Sequence, residues 1–403
     1  MTKRALQSAP GSPARHAPHV PVVVSGLSVI AVTYGLTRYS FGLYLPQFRA
    51  DLGLTTGTAG GIAAGSSLAY CAAAVLGAHL VDRGRARRAL WSAGVSAAVG
   101  ALVVAAAQAT PVLAIGALVA GSGAGAASPA LVAAVARTVP PSAEPRSQTV
   151  VNSGTGAGVV AGGLVALAWP AEWRWAWLGF ASGALLVTWW ADRSACWGPP
   201  PADPDRPGSG LRPLRLVRPL TAGLLAGAGG AGVWTFGPDV TTRSGLSTQA
   251  AGLLWCLLGA AALLGGLSGS VVRRAGLAAA WRVSAAMTAT GTVLLAWWPG
   301  SVVVAAGALA LFGCGFVALS GVLIAWAGRL APEAPAQATA LLFITLTIGQ
   351  AAGAALLGAL ADAAGPPVAF VAAAGLVSAA ALAAPRDRRR TPPAGRSGRR
   401  RHR

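Results

Sequence analysis

The sequence predicts an all-α membrane protein in which twelve transmembrane helices form two pseudo-symmetric six-helix bundles. Hydrophobic residues make up 54% of its 403 residues and charged residues only 10%, which excludes an ordinary soluble domain. Apolar runs long enough to cross a bilayer follow one another, separated by short polar stretches. The chain also repeats itself, because Tyr-Ser-Phe-Gly at 39–42 returns as Trp-Thr-Phe-Gly at 234–237.

The first apolar run, residues 20–45, contains a single charge, Arg38, and is followed by Pro46. An ionisable side chain inside such a run is costly, so it marks a functional site by default. Further runs predict helices at 57–80, 89–109, 111–136 and 149–169. A short outer loop, Glu-Trp-Arg-Trp at 172–175, leads into a sixth helix that ends near Ala191. We expect residues 20–191 to form the first bundle, preceded by a cytoplasmic tail at 1–19.

The pattern restarts after residues 192–218, which are rich in proline and charge and lack apolar periodicity. This composition predicts a cytoplasmic linker. Residues 219–385 predict the second bundle, with helices at 219–238, 248–270, 279–298, 301–328, 337–361 and 367–384. The basic stretch 386–403 predicts a cytoplasmic C-terminal tail.

The net charge of +20 would suggest nucleic acid in a soluble protein, but its distribution indicates topology instead. Of the 31 Lys and Arg, 27 lie in the tails and in the segments assigned to the loops after even-numbered helices. Positively charged loops stay in the cytoplasm. We therefore expect a multi-pass protein of the plasma membrane with both termini cytoplasmic and no nucleic-acid partner.

The sequence contains no motif that indicates an enzyme. The four cysteines and four histidines show no metal-ligand spacing, and no phosphate-binding loop of the GxxxxGK[ST] type occurs. We expect no catalytic residue, no metal and no cofactor. Energy for transport would then come from a gradient of substrate or ion.

The loop between the second and third predicted helices carries a family resemblance. Residues 78–88, Ala-His-Leu-Val-Asp-Arg-Gly-Arg-Ala-Arg-Arg, resemble the major facilitator superfamily signature Gly-x-Leu-x-Asp-Arg-x-Gly-Arg-Arg. Ala78 replaces the leading glycine, and Gly84 lies one place early. A second copy at 269–276 has Arg273 where the acid would be. The resemblance covers roughly residues 20–385 and implies twelve helices and alternating access.

The resemblance implies a cytoplasmic gate, in which the acid and nearby arginines pair across helix ends. Its candidates are Asp82, Arg83, Arg87, Arg88, Arg273 and Arg274. A plain positive loop that only fixes topology is the alternative interpretation. Asp239, at the end of the seventh predicted helix, is a further gating candidate that could also carry a proton.

Glycine-rich helices supply a second resemblance. Residues 154–163, Gly-Thr-Gly-Ala-Gly-Val-Val-Ala-Gly-Gly, are similar to the family's antiporter signature Gly-x-x-x-Gly-Pro-x-x-Gly-Gly, with Val159 at the proline position. This favours export. Small residues let helix backbones approach closely in lipid. The predicted packing positions are Gly154, Gly158 and Gly162, with Gly349 and Gly353 at matching spacing in the second half.

Polar residues on helices that would line a central cavity in this family are the candidates for substrate binding. They are Tyr34, Arg38, Tyr39, Tyr70, Asn152, Trp234, Thr235 and Gln350. Aromatic and hydroxyl groups around one arginine suit a small organic anion, or an amphipathic molecule with an anionic group. Arg38 could instead snorkel to the outer interface.

Together these features predict a secondary transporter of a small organic molecule, monomeric in the lipid bilayer and working by alternating access, with efflux by antiport favoured. Facilitated or proton-coupled uptake of a small organic anion is the alternative within transport. A non-transporting membrane sensor with the same fold is the alternative from another class.

Overall fold

The structure is a computed structural model that describes residues 19–169, 172–198, 213–266, 268–332 and 334–385. Within these ranges the chain is helical and contains no strand. The predicted tails lie outside the described residues, apart from His19, and so does 199–212 of the predicted linker.

Twelve long helices are numbered α1 to α12 in chain order. Helix α1 covers His19–Leu43 and continues after a turn at Tyr44 as an outer extension, Leu45–Leu52. The first half is completed by α2 (Thr56–Asp82), α3 (Ala86–Ala105), α4 (Thr110–Thr138), α5 (Glu144–Ala168) and α6 (Trp173–Ser194). The second half contains α7 (Pro213–Arg243), α8 (Thr248–Gly265), α9 (Leu277–Trp297), α10 (Val302–Leu330), α11 (Pro335–Ala364) and α12 (Pro366–Leu382). A short unnumbered helix, Ser268–Ala275, connects α8 to α9.

The described helices have the length and composition of membrane spans. All except α6, α9 and α12 meet both criteria, which makes nine candidate spans in the described residues, and α12 is apolar but only 17 residues long. Large apolar side chains such as Leu186, Leu264 and Leu356 are exposed on the helix surfaces. In water such exposure would be unfavourable, whereas lipid tails are suitable partners. The chain is therefore a multi-pass membrane protein.

The helices pack as two bundles that meet along two long seams. Helices α1–α6 pack mainly among themselves, as do α7–α12, while α2 packs on α11 and α5 on α8. The outer part of α1 also contacts α7. The predicted fold class is confirmed. We call the side that carries Leu45–Leu52 the outer side, following the predicted topology.

The sequence repeat is visible in the helix packing. Helix α5 approaches α1 through Gly154, Gly158 and Gly162, and α11 approaches α7 through Gly349 and Gly353. A Cβ atom at Gly158 would overlap the backbone of Ala31, and one at Gly353 would overlap the backbone of Ala228. Residues 154 and 158 correspond to 349 and 353 in the repeat. The same close helix–helix contact therefore occurs in both halves, between α5 and α1 and between α11 and α7.

Several helix ends differ from the predicted ones. Helix α8 ends at Gly265, not near 270, and the short helix Ser268–Ala275 follows it. Helix α5 begins at Glu144, inside the predicted polar loop, where an acid and a proline suit a first helical turn. Helix α6 continues to Ser194 and α7 starts at Pro213, so both ends of the predicted 192–218 linker are helical.

Candidate substrate site and outer gate

The centre of α1 departs from regular α-helix. Residues Ala31–Tyr39 form a π-helical segment, and the Ser40 hydroxyl donates a hydrogen bond to the Gly35 carbonyl at 3.1 Å. Segments of π-helix are rare and are found frequently at functional sites. Arg38 lies in the last turn of this segment. The irregular backbone therefore coincides with the one charge of the first apolar run.

Arg38 is a buried cation whose described partners are all neutral. Its side chain is held by Nη1 donating to Tyr39 Oη at 3.2 Å and Nη2 donating to Ser67 Oγ at 3.4 Å and Gln350 Oε1 at 3.0 Å. Its Cζ lies 4.6 Å from the Tyr70 ring centroid and 5.1 Å from that of Tyr39. No carboxylate within the described ranges forms an ion pair with it.

The Arg38 guanidinium borders a small cavity between the two halves. The cavity measures about 40 Å³ and is lined by Arg38, Tyr39, Phe41, Gly42, Ala63, Ser66, Ser67, Ala231, Trp234, Thr235, Gln350 and Ala354. Tyr39 stacks on Trp234 at a centroid distance of 4.3 Å and an interplanar angle of 25°. These two residues open the repeated tetrapeptides at 39–42 and 234–237. Equivalent positions of the two halves are thus in direct contact at the wall of the cavity.

A hydrogen-bonded group behind the cavity positions the Tyr70 ring under the guanidinium. Tyr34 Oη is 2.8 Å from Tyr70 Oη and 2.7 Å from Ser128 Oγ. The two tyrosine rings meet edge to face at 5.8 Å. Tyr34 therefore acts on Arg38 through Tyr70, and is not a lining residue.

An ion pair closes the outer end of the interface between the halves. Arg49, on the outer extension of α1, donates from Nε to Asp239 Oδ1 at 3.0 Å and from Nη2 to Oδ2 at 3.1 Å. Its other donors reach the Leu54 carbonyl at 2.6 Å and the Thr56 hydroxyl at 3.2 Å. The Asp239 side chain is only 4% exposed. A two-point contact of this kind fixes geometry as well as charge.

A second carboxylate joins the halves beside this pair. Asp362 of α11 accepts the Thr56 N–H at 2.9 Å through Oδ1 and the Gly57 N–H at 2.7 Å through Oδ2. These N–H groups belong to the first turn of α2, where backbone donors lack helical partners and the helix dipole favours an anion. Two acids of the second half thus bind the outer surface of the first half.

Comparison with known proteins identifies the family of this chain. The Major Facilitator Superfamily sequence profile matches residues 27–345. A chloramphenicol resistance protein of Streptomyces lividans is 30% identical over 353 residues, which cover 83% of this chain and 88% of that protein. The chain belongs to the Major Facilitator Superfamily. The resemblance stated from the sequence is confirmed.

Solved structures of superfamily transporters share the fold. The nucleoside transporter NupG superposes with a TM-score of 0.71 at 15% identity, covering 91% of this chain and 97% of that one. A D-xylose–proton symporter gives a TM-score of 0.70 at 16% identity, with 90% and 96% covered. Superfamily transporters bind small molecules within a lipid membrane and usually work as monomers. The family and the fold point to a transporter, a class of protein that is not usually an enzyme.

The structure brings most of the predicted substrate residues to one place. Arg38, Tyr39, Trp234, Thr235 and Gln350 line the cavity, while Tyr34 and Tyr70 lie in the network beside it. Asn152 is the exception, since it is exposed on α5 and does not line this cavity. The guanidinium of Arg38 bonds inside the bundle, so it does not snorkel to the interface.

Among the described residues, the pairing across helix ends that the superfamily signature implies is absent on the side opposite the outer gate. Arg87 instead makes a two-point ion pair with Asp192 of α6, at 2.7 and 2.8 Å, within the same half. The other candidates on that side, Asp82, Arg83, Arg88, Arg273 and Arg274, are exposed and form no ion pair with described residues. Of the predicted gating residues, Asp239 is the one that joins the halves, and it does so on the outer side.

Sequence reasoning missed three residues of these contacts. Arg49 was outside the 27 basic residues that indicate topology, Asp192 was in the predicted linker, and Asp362 had no assigned role. The sequence offered one indication, which is that acidic residues are rare: the chain has only 11, so an acid close to an apolar run is unusual. This indication does not identify the basic or backbone group that the acid binds, because that group lies on another helix.

Proposed function

We propose that this chain exports small amphipathic molecules that carry an anionic or acceptor-rich group, by alternating access across the plasma membrane. The observation that carries this proposal is Arg38, a buried cation that faces a cavity between the halves. Among the described residues, its hydrogen-bond partners are all neutral side chains. Burying an unpaired charge costs free energy unless a partner or ligand compensates it. A transported anion or acceptor group would supply that compensation.

The walls of the cavity support an amphipathic ligand. The guanidinium offers a planar set of donors that suits carboxylate or phosphate oxygens, which accept at two points. Tyr39 and Trp234, which stack on each other, add aromatic surface to the wall that an apolar or aromatic part of the ligand can contact. The hydroxyls of Ser66 and Thr235, both lining residues, are available for a further polar group.

Export is supported by the curated relative and by the glycine-rich α5. The name of that relative associates it with resistance to chloramphenicol, a neutral nitroaromatic that fits the amphipathic part of the proposal. Residues 154–163 resemble the antiporter signature. The positive segments predict both termini in the cytoplasm, which makes the Arg49–Asp239 pair the extracellular gate. We propose a monomer, as is usual in the superfamily.

Transport in everted membrane vesicles tests this proposal. With the cytoplasmic face outward, export appears as uptake of radiolabelled chloramphenicol, or of 4-nitrobenzoate as an anionic counterpart. We expect wild-type protein to accumulate at least one of them when a proton gradient is imposed. Arg38→Ala should reduce the rate at least ~10-fold, since a hydrogen bond to a charged group is worth roughly 1.5–3 kcal/mol. Arg282→Ala, which removes an exposed arginine on α9, is the matched control.

The alternatives give different results in the same vesicles. An uptake carrier would accumulate the anion in right-side-out vesicles and respond to the opposite gradient. A sensor would bind ligand without moving it. Equal accumulation by wild-type and Arg38→Ala proteins would contradict the proposed site.

A further inference from the structure

Gln350 occupies the position that a ligand's acceptor group would need. Its Oε1 accepts the hydrogen bond from Arg38 Nη2 at 3.0 Å, and the residue is 5% exposed. Arginine has only donors, so the amide must turn its oxygen toward the guanidinium. A carbonyl oxygen is a neutral and weaker version of the anionic acceptor that the proposed function assigns to the ligand.

The same hydrogen bond also holds the two halves together. Arg38 belongs to α1 in the first half and Gln350 to α11 in the second. Twelve residues further along α11, roughly 18 Å at 1.5 Å per residue, Asp362 binds the first turn of α2. One helix therefore carries both the contact in the cavity and a contact of the outer gate.

We propose that Gln350 is an internal stand-in for the ligand, which competes with the ligand for Arg38 and couples occupancy of the site to closure of the outer side. This rests on the proposed function of the Arg38 site. When an anionic or acceptor-rich group binds Arg38, it displaces Gln350 and removes the hydrogen bond that links the halves at the cavity. With that link lost, α11 is held to the first half by its packing on α2, by the contact of Cys71 Sγ with the Ile344 carbonyl and by Asp362 at its outer end.

Two variants of Gln350 separate this role from simple packing. Gln350→Glu keeps the shape and turns the neutral competitor into a charged one, so ligand affinity should fall about tenfold or more. Gln350→Leu keeps most of the volume and removes the competitor, so affinity should rise, by roughly threefold. Dissociation constants for chloramphenicol and 4-nitrobenzoate are measured on the purified full chain. Gln337→Glu, which adds the same charge at an exposed position of α11, should retain the wild-type affinity.

A ligand-independent measurement tests the link between the halves. Spin labels at Gln108→Cys, in the outer loop after α3, and at Gln249→Cys, in the first turn of α8, report the distance between the halves by electron paramagnetic resonance, since both positions are exposed. The background replaces the four native cysteines with alanine. Without ligand, Gln350→Leu should shift the distances toward longer values, and Gln350→Glu should leave the short distances more populated than in wild type.

The outcomes distinguish this inference from the proposed function. If neither probe binds wild-type protein, the proposed ligand class is wrong, while the distances still decide whether Gln350 links the halves. If a probe binds and both variants weaken it equally, Gln350 is a packing residue and the stand-in role is overturned. Unchanged distances in both variants would overturn the coupling.

Discussion

Arg38 shows how one residue combines stability and function. Its guanidinium is 4.6 Å from the Tyr70 ring centroid and donates to hydroxyl and amide oxygens, which together replace part of its lost hydration. Ring faces attract a cation, by roughly 2 kcal/mol or more when it is desolvated. Neutral partners leave the positive charge itself uncompensated. The site is therefore stable enough to fold and still suited to bind an anionic or acceptor group.

Lysine at position 38 tests whether the guanidinium shape matters in addition to its charge. Arg38→Lys keeps the charge but loses the planar fork and the stacking on Tyr70 and Tyr39. We expect kcat/KM for export to fall roughly 10-fold, equivalent to about 1.4 kcal/mol. Initial rates in everted vesicles measure this, with Arg282→Lys as the control. A full rate with Lys would show that a point charge is sufficient.

The sequence allowed part of this site to be predicted, for a physical reason. Arg38 is conspicuous because a charge inside an apolar run is expensive, and Tyr39 and Trp234 mark the repeat. Ser67 could not be chosen over other serines, since most hydroxyls in helices bond to their own backbone, as Ser25 and Thr33 do. Which hydroxyl reaches Arg38 depends on helix rotation, which a single sequence does not determine.

At the scale of elements, the outer extension of α1 connects the gate to the first half. Leu45–Leu52 carries Arg49, which reaches across to Asp239, and Asp51, which points to its own half. Asp51 Oδ2 accepts from Trp173 Nε1 at 2.9 Å and from Arg174 Nη1 at 3.0 Å. The Trp-Arg-Trp sequence thus holds the extension against α6. Anchored in this way, Arg49 presents a fixed donor pair to the second half.

Neutralising the gate acid should favour the outward-open state. Asp239→Asn keeps the shape but leaves the Arg49 guanidinium without its counter-charge, so the longer distances between labels at Gln108→Cys and Gln249→Cys should become more populated. The charge-swapped pair Arg49→Asp with Asp239→Arg should restore part of the short population. Asp51→Asn is the control, because its contacts stay within one half. Equal effects of Asp239→Asn and Asp51→Asn would contradict a gate at Asp239.

The predicted helices were most accurate in their apolar central parts, where the hydrophobic pattern determines the assignment, and least accurate at their ends. Helix α4 was expected at 111–136 and spans Thr110–Thr138, while α7 was expected to stop at 238 and continues through Pro238 to Arg243. The extra turn keeps Asp239 inside the helix, where it is buried beside Arg49. An isolated proline and acid suggest a helix end, but the partner across the interface makes the longer helix favourable.

At the scale of the molecule, the hydrogen bonds and ion pair that charged side chains make between the halves lie between the cavity and the outer side. Among described residues they are the contacts of Arg38 with Gln350, of Arg49 with Asp239 and of Asp362 with the first turn of α2. Toward the other ends of the helices, the described ion pair at Arg87 stays within one half. The conformation is therefore closed on the outer side. Alternating access requires this closure to exchange with one on the opposite side.

Accessibility of Thr235→Cys from each side of the membrane tests this account most directly. Thr235 lines the cavity, and cysteine is close to threonine in size. A small, membrane-impermeant methanethiosulfonate is applied to inside-out and right-side-out vesicles, in a background without Cys71, Cys256 and Cys314. The Thr235→Cys protein also lacks Cys196. A second protein that keeps Cys196 as its one cysteine is treated in parallel, because exposed Cys196 lies on the predicted cytoplasmic side and reports the orientation of the vesicles.

We expect the reagent to modify Thr235→Cys in inside-out vesicles, together with Cys196, and to modify it slowly in right-side-out vesicles. Adding Asp239→Asn should increase the right-side-out rate, because the outer gate then opens more often. Modification that is equal from both sides and unaffected by Asp239→Asn would contradict alternating access at this cavity.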